Sequence, residues 1–80
     1  MEKEINLVDA IKNKNYVVVC ISESLGSKIA KRLGELGIVK HAVVSLVHLS
    51  KFARGGIVRV MESNVCLDTK ILSNVRVREA

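Results

Sequence analysis

Four side chains in this sequence could hold a transition metal or serve a nucleophilic reaction: Cys20, Cys66, His41 and His48. Metal sites favour short spacings such as CxxC, HxxxH or HExxH, because ligands one turn or one tight loop apart converge on a single ion. None of these spacings occurs here. His41 and His48 lie an odd number of residues apart in what reads as one strand. Their rings would then face opposite sides, unless the strand begins after His41. Cys20 reads as a small buried hydrophobe, as free cysteines usually are. A Cys–His nucleophile needs a third group to orient the base and a site that excludes water. Asp9, Glu23 and Asp68 are available, yet no spacing ties them to a Cys and a His. The residues therefore point to no enzyme, no metal and no cofactor.

Other candidate sites are surfaces. Gly55-Gly56 lies between two apolar stretches and reads as part of a hairpin loop, not as a phosphate cradle. The start of a helical stretch at Ser24 to Ser27 exposes amides that could in principle face an anion, but simple capping is the better account of them. Phe52 sits between Lys51 and Arg54 at a loop tip. An apolar tip rimmed by charge marks a contact surface; the alternative is that the ring folds back over an open end of the core.

These residues must be positioned by a chain of 80 amino acids, enough for one domain over residues 1–80. A domain of this size buries about 60% of its unfolded surface. Its aromatic residues are Tyr16 and Phe52, so Val, Ile and Leu must build the core. Valine is the commonest type and favours strands, since its branched Cβ suits a pleated surface. The first residues, MEKEINLVDAIKNKN, hold no continuous apolar stretch, and Val17 to Ile21 is far too short to span a bilayer. The expectation is a cytoplasmic protein with reduced thiols and no membrane insertion. A net charge of +5 invites nucleic acid, but the cations are scattered and no aromatic stacking platform accompanies them. Solvated faces or an acidic protein partner fit better.

Leu7 to Ile11 reads as a short helical turn, Lys12 to Asn15 as a turn, and Tyr16 to Ser22 as a first, central strand. Leu25, Ile29, Leu33 and Leu36 recur at helical spacing, with Lys28, Lys31, Arg32 and Glu35 away from them. Ser24 would cap that helix, and Gly37 would end it with Ile38 folding back. Gly34 inside it costs about 1 kcal/mol relative to Ala. Either something approaches it closely, or the helix tolerates it. From Ala42 the period falls to two: Val44 and Leu46 face one way, Val43, Ser45 and Val47 the other. Val58 and Val60 point inward, and Ser63-Asn64 forms a tight turn before Val65 and Leu67. Asp68 caps a turn over Thr69 to Ser73, and Val75 and Val77 close the pattern. Five short strands and one helix hide their edges by curling into a small barrel.

The stretch Lys31-Arg32-Leu33-Gly34-Glu35-Leu36-Gly37-Ile38 resembles the ferrous iron transport protein A (FeoA) family. That family has an arginine-rich helical turn followed by Leu-x-Glu-Leu-Gly-Leu. Val44-Ser45-Leu46, Val58-Arg59-Val60, Val65-Cys66-Leu67 and Val75-Arg76-Val77 match its successive strands, and Leu7, Ala10 and Asn13 match its opening. Lys40-His41, Lys51-Phe52-Ala53 and Met61-Glu62-Ser63 stand where the family commonly has Pro-Gly, Pro-Leu-Gly and Arg-Gly. The resemblance implies a mainly β fold: a small SH3-like β-barrel with one short α-helix inserted after the first strand. It implies an accessory role, with no iron held by the protein itself. The implied partner is the membrane ferrous-iron transporter, bound at its cytosolic G-protein domain. Lys28, Lys31, Arg32 and Glu35 on the helix, with Lys51, Phe52 and Arg54 in the loop, are the expected partner-binding residues. The same barrel resembles the C-terminal domain of metal-dependent repressors, so the alternative is a stand-alone interaction or regulatory module.

Overall fold

The computed structural model describes residues 3–50 and 54–80. Its six strands are β1 (Glu4–Asn6), β2 (Asn15–Ile21), β3 (Val43–Ser50), β4 (Gly55–Val60), β5 (Ser63–Asp68) and β6 (Val75–Glu79). They form one antiparallel sheet in the order β1-β6-β2-β3-β4-β5. Helix α1 (Ser27–Glu35) lies between β2 and β3, and the single turn α2 (Thr69–Leu72) between β5 and β6. The helix therefore follows the second strand, not the first. The charged opening conceals β1, where Ile5 pairs with Val77 and Glu4 with Arg78. Among the described residues no ladder joins β1 to β5, the two ends of the order.

Leu7, Tyr16, Val18, Leu33, Ile38, Val44, Leu46, Val58, Val60, Leu72, Val75 and Val77 make the core, with Leu25 and Leu67 at its margin. β2 is central, flanked by β6 and β3. Two bulges break the simple alternation of side chains. In β2, Val18 pairs with Val77 and Cys20 with Arg76, leaving Val19 as the extra residue. In β3, Leu46 pairs with Val58 and His48 with Ile57, leaving Val47 extra. A bulge turns every later side chain to the opposite face. Cys20 is consequently exposed rather than buried, and Ile21 takes the inward position beside Val75. Ser45, which alternation alone turns away from the core, is also buried between Val44 and Leu46.

Local chemistry explains the ends of the elements. Helix α1 starts at Ser27, after Gly26 at φ +87°, and has no side-chain cap. Ser22, not Ser24, does the capping, and it caps a 3₁₀ turn over Glu23–Leu25 by accepting a bond from the Ser24 amide. The C-terminus matches the sequence reading. Gly37 is left-handed, its amide donates to the Gly34 carbonyl, and the Ile38 amide donates to the Leu33 carbonyl at 2.9 Å. That pair of bonds is a Schellman ending, with Ile38 and Leu33 buried together. Asp68 caps α2 through its carboxylate and the Lys70 amide at 2.8 Å. Tyr16 buries its ring and accepts the Ile11 amide at its hydroxyl, so its polar end is satisfied.

Gly55 and Gly56 belong to β4 and not to the loop before it. A Cβ at Gly56 would lie 2.7 Å from the His48 carbonyl oxygen and 3.1 Å from Leu72 Cδ1. The missing side chain lets α2 lie directly on the sheet. Gly56→Ala is expected to lower unfolding stability by about 1–3 kcal/mol, the usual cost of overpacking. A denaturation midpoint equal to the parent's would show that this contact yields freely.

Candidate functional site

The cations of α1 form one stripe. Lys28, Lys31, Arg32 and Glu35 are all exposed, at spacings of three and four that place them on the outer face of the helix. Leu33 faces the core, and Ile29 and Leu36 are half-buried beside it. The ion pairs among the described residues are Lys14–Glu79 and Arg76–Glu4. The hydrogen bond to Glu79 raises the Lys14 pKa above its usual value. Neither pair involves α1, so its charges face solvent, free to meet a partner.

Arg54 is exposed and left-handed at φ +50°, and its carbonyl accepts the Thr69 amide. It opens β4, whereas the end of α1 abuts the strand's far end: a Cβ on Gly37 would sit 3.3 Å from Val60 Cγ1. At roughly 3.3 Å per residue, the six steps from Arg54 to Val60 separate the two by about 20 Å. Lys51 and Phe52, which complete the expected partner-binding set, lie outside the described residues.

A second feature, which the sequence reading missed, lies at the helix end. Gly34, Gly37 and Val60 floor a shallow hollow walled by Val39, Val43 and Met61, with Lys40 and His41 at its rim. These three wall residues are large exposed hydrophobics, Met61 reaching 84% exposure. Gly34 bears on the earlier alternative. A Cβ there would meet only Val39 Cγ1 at 3.9 Å, so nothing approaches it and the helix tolerates it. The β4–β5 turn is Met61-Glu62 and not Ser63-Asn64, since Ser63 already pairs with Val60 and Asn64 with Arg59. A two-residue hairpin turn demands a positive φ, and Met61 supplies it at +57° where glycine would do so without strain. The available signal was negative: a two-strand pattern with no Gly or Asn-Gly at its turn.

The two thiols and two imidazoles do not converge on one site. His41 is left-handed at φ +77° and precedes β3, so the strand does begin after it. It lines the apolar hollow, while His48 and Cys66 border a different groove with Arg54 and Asp68. Among the described residues no three His, Cys, Asp or Glu side chains group as metal ligands.

The FeoA domain model matches residues 5–79 of this chain. The chain belongs to the FeoA family. Its fold is similar to the crystal structure of an iron uptake regulatory protein (FeoA), with a TM-score of 0.80 at 15% identity, covering 98% of this chain and 99% of that one. It is similar to a FeoA-like protein from Clostridium acetobutylicum, with a TM-score of 0.79 at 18% identity, covering 99% and 90%. A manganese-dependent transcriptional repressor shares the fold with a TM-score of 0.89 at 15% identity. That match covers all of this chain but 44% of the repressor. No curated protein matches the sequence. Among the described residues no helix is long and apolar enough to cross a membrane.

Within this FeoA domain the strained turn and the open glycine are separable from the core. Met61→Gly is expected to raise unfolding stability by about 1 kcal/mol by relieving the left-handed backbone. Gly34→Ala should add up to about 1 kcal/mol through helix propensity. Thermal melts of the two variants check both: a lower midpoint for Gly34→Ala would mean that the hollow has less room than its geometry gives it, and one for Met61→Gly that the packing of the Met61 side chain outweighs its backbone strain.

Proposed function

We propose that this chain is a cytoplasmic accessory protein of ferrous iron transport that binds and modulates the cytosolic G-protein domain of the membrane ferrous-iron transporter. The observation that carries this reading is the FeoA match over residues 5–79. FeoA proteins are accessory and non-catalytic, and this chain works by presenting surfaces. In this reading it is one domain over residues 1–80, its sheet curled into an SH3-like barrel. The bulges at Val19 and Val47 support that curvature, because a bulge bends its strand and increases twist.

The docking surface joins the Lys28, Lys31, Arg32 and Glu35 stripe to the Val39–Val43–Met61 hollow, with Lys51, Phe52 and Arg54 as a second contact. Charge at the rim speeds encounter and sets orientation, while the apolar hollow supplies burial. Binding shifts the partner between its states only by the difference in affinity for them. A second reading, favoured by the TM-score of 0.89 to a manganese-dependent repressor, is a stand-alone regulatory module. Capture of a transcription regulator in place of the transporter domain would select it.

Titration of the purified chain against the transporter's cytosolic domain, with and without guanine nucleotide, tests the proposal. The expected result is binding whose affinity depends on the nucleotide. Lys31→Glu with Arg32→Glu should weaken binding at least tenfold and remove most of its salt dependence. Equal affinity for parent and double variant would overturn this docking surface.

A further inference from the structure

The two ends of the sheet are guarded differently. β1 is three residues long and carries Glu4, paired with Arg76. Shortness and charge are the usual devices that keep an edge from recruiting another strand. β5 is twice as long, its six residues, Ser63–Asp68, contain no lysine and no proline, and its one charge, Asp68, already accepts the Lys70 amide. It pairs with β4 in an unbroken register, with no bulge to twist it away.

The register also fixes which backbone groups are free. Val60 and Ser63 close a two-residue turn and so exchange both of their hydrogen bonds. Alternation makes Val58–Val65 and Gly56–Leu67 the next bonded pairs, and the Thr69 amide on the Arg54 carbonyl at 2.9 Å continues the series. The amides and carbonyls of Asn64, Cys66 and Asp68 therefore point off the sheet, and all three residues are exposed. Among the described residues no strand pairs with them.

We propose that this edge binds a second copy of the same chain, β5 against β5, on a two-fold axis through Cys66. The chain itself selects this register. Outward groups must meet outward groups, so even-numbered residues oppose even-numbered ones. An axis through Val65 would set Glu62 opposite Asp68 of the second copy, which is repulsive. Axes through Asn64 or Leu67 leave only three residues of each strand paired. An axis through Cys66 pairs residues 64–68, sets the Asn64 amide across from the carboxylate of Asp68, and carries Glu62 toward Lys70 of the second copy. Every one of these contacts occurs twice by symmetry, so the edge is complementary to itself in hydrogen bonds and in charge. Pairing five residues buries less than a standard interface, so the expected dimer is weak and reversible.

Sedimentation equilibrium of the full chain in reducing buffer, over a hundredfold concentration range, tests the inference. A reversible dimer is expected. Hydrogen exchange should slow with concentration at the amides of Asn64, Cys66 and Asp68 and stay constant at Val65 and Leu67. Cys66→Pro removes an outward amide and none of the β4–β5 bonds, so it should abolish the dimer. Glu62→Lys should weaken association roughly tenfold, and adding Lys70→Glu should restore it. A monomer at every concentration overturns the inference. So does a dimer that ignores Cys66→Pro and the charge changes, or an edge that gains protection only when another protein is added.

Discussion

One extra residue in each of two strands decides what this sheet can bury. Were Val19 paired in an unbroken ladder, β2 would send Cys20 inward and Ile21 outward; were Val47 so paired, β3 would turn His48 and Ser50 inward and Leu49 outward. The bulges reverse both ends. The reversal keeps aliphatic residues over the core along the whole length of β2 and β3. It also puts Cys20 and His48 on the outer face. A core whose only described aromatic is Tyr16 has no large side chains to plug gaps, so its density depends on that register. The strand curvature that bulges create and the burial that they permit have the same cause.

The remaining strain gathers where strands are joined. With no proline and five glycines in the chain, the connections call on Asn13, His41, Arg54 and Met61 for left-handed backbone. Asn13 adopts it at little cost; a histidine, an arginine and a methionine do not. Two of these three, His41 and Met61, border the apolar hollow at the end of α1. Residues held in sparsely populated backbone regions cluster at binding surfaces because such surfaces need side chains that an unstrained turn would not present. Glycine at position 61 would make a more comfortable turn and remove the tallest wall of the hollow.

Much of this was readable from residue order. The helical period of Ile29, Leu33 and Leu36, the glycine ending at Gly37 with Ile38 folding back, the Asp68 cap and the inward Val58, Val60, Val75 and Val77 all follow from local rules, and the structure agrees. The failures have physical causes. β1 has three residues, too few to show a period of two, and its stability comes from pairing with β6. Cys20 was misread because alternation assumes an uninterrupted ladder, and a bulge leaves no mark in composition. Gly55 and Gly56 resembled a loop because the reason for Gly56 is a distant one: Leu72 lies on it, sixteen residues later. The hollow was hidden for a similar reason, since Val39, Val43 and Met61 come from three different connections and strands. The cationic stripe of α1 was legible because a helix displays a face through spacing alone.

The β4–β5 hairpin links the two surfaces argued for this molecule. Met61 projects into the hollow beside α1, and its neighbour Glu62 begins the charge pattern that sets β5 against a second copy. Both side chains hang on one two-residue turn whose backbone is strained at its first position. A partner that seats Met61 fixes that turn and with it the position of Glu62. Pairing of β5 fixes the same turn from the other side. Any coupling through this turn is reciprocal in free energy, each event altering the affinity of the other by the same factor. The turn is the shortest covalent route between the two surfaces, and it departs from the family's common Arg-Gly.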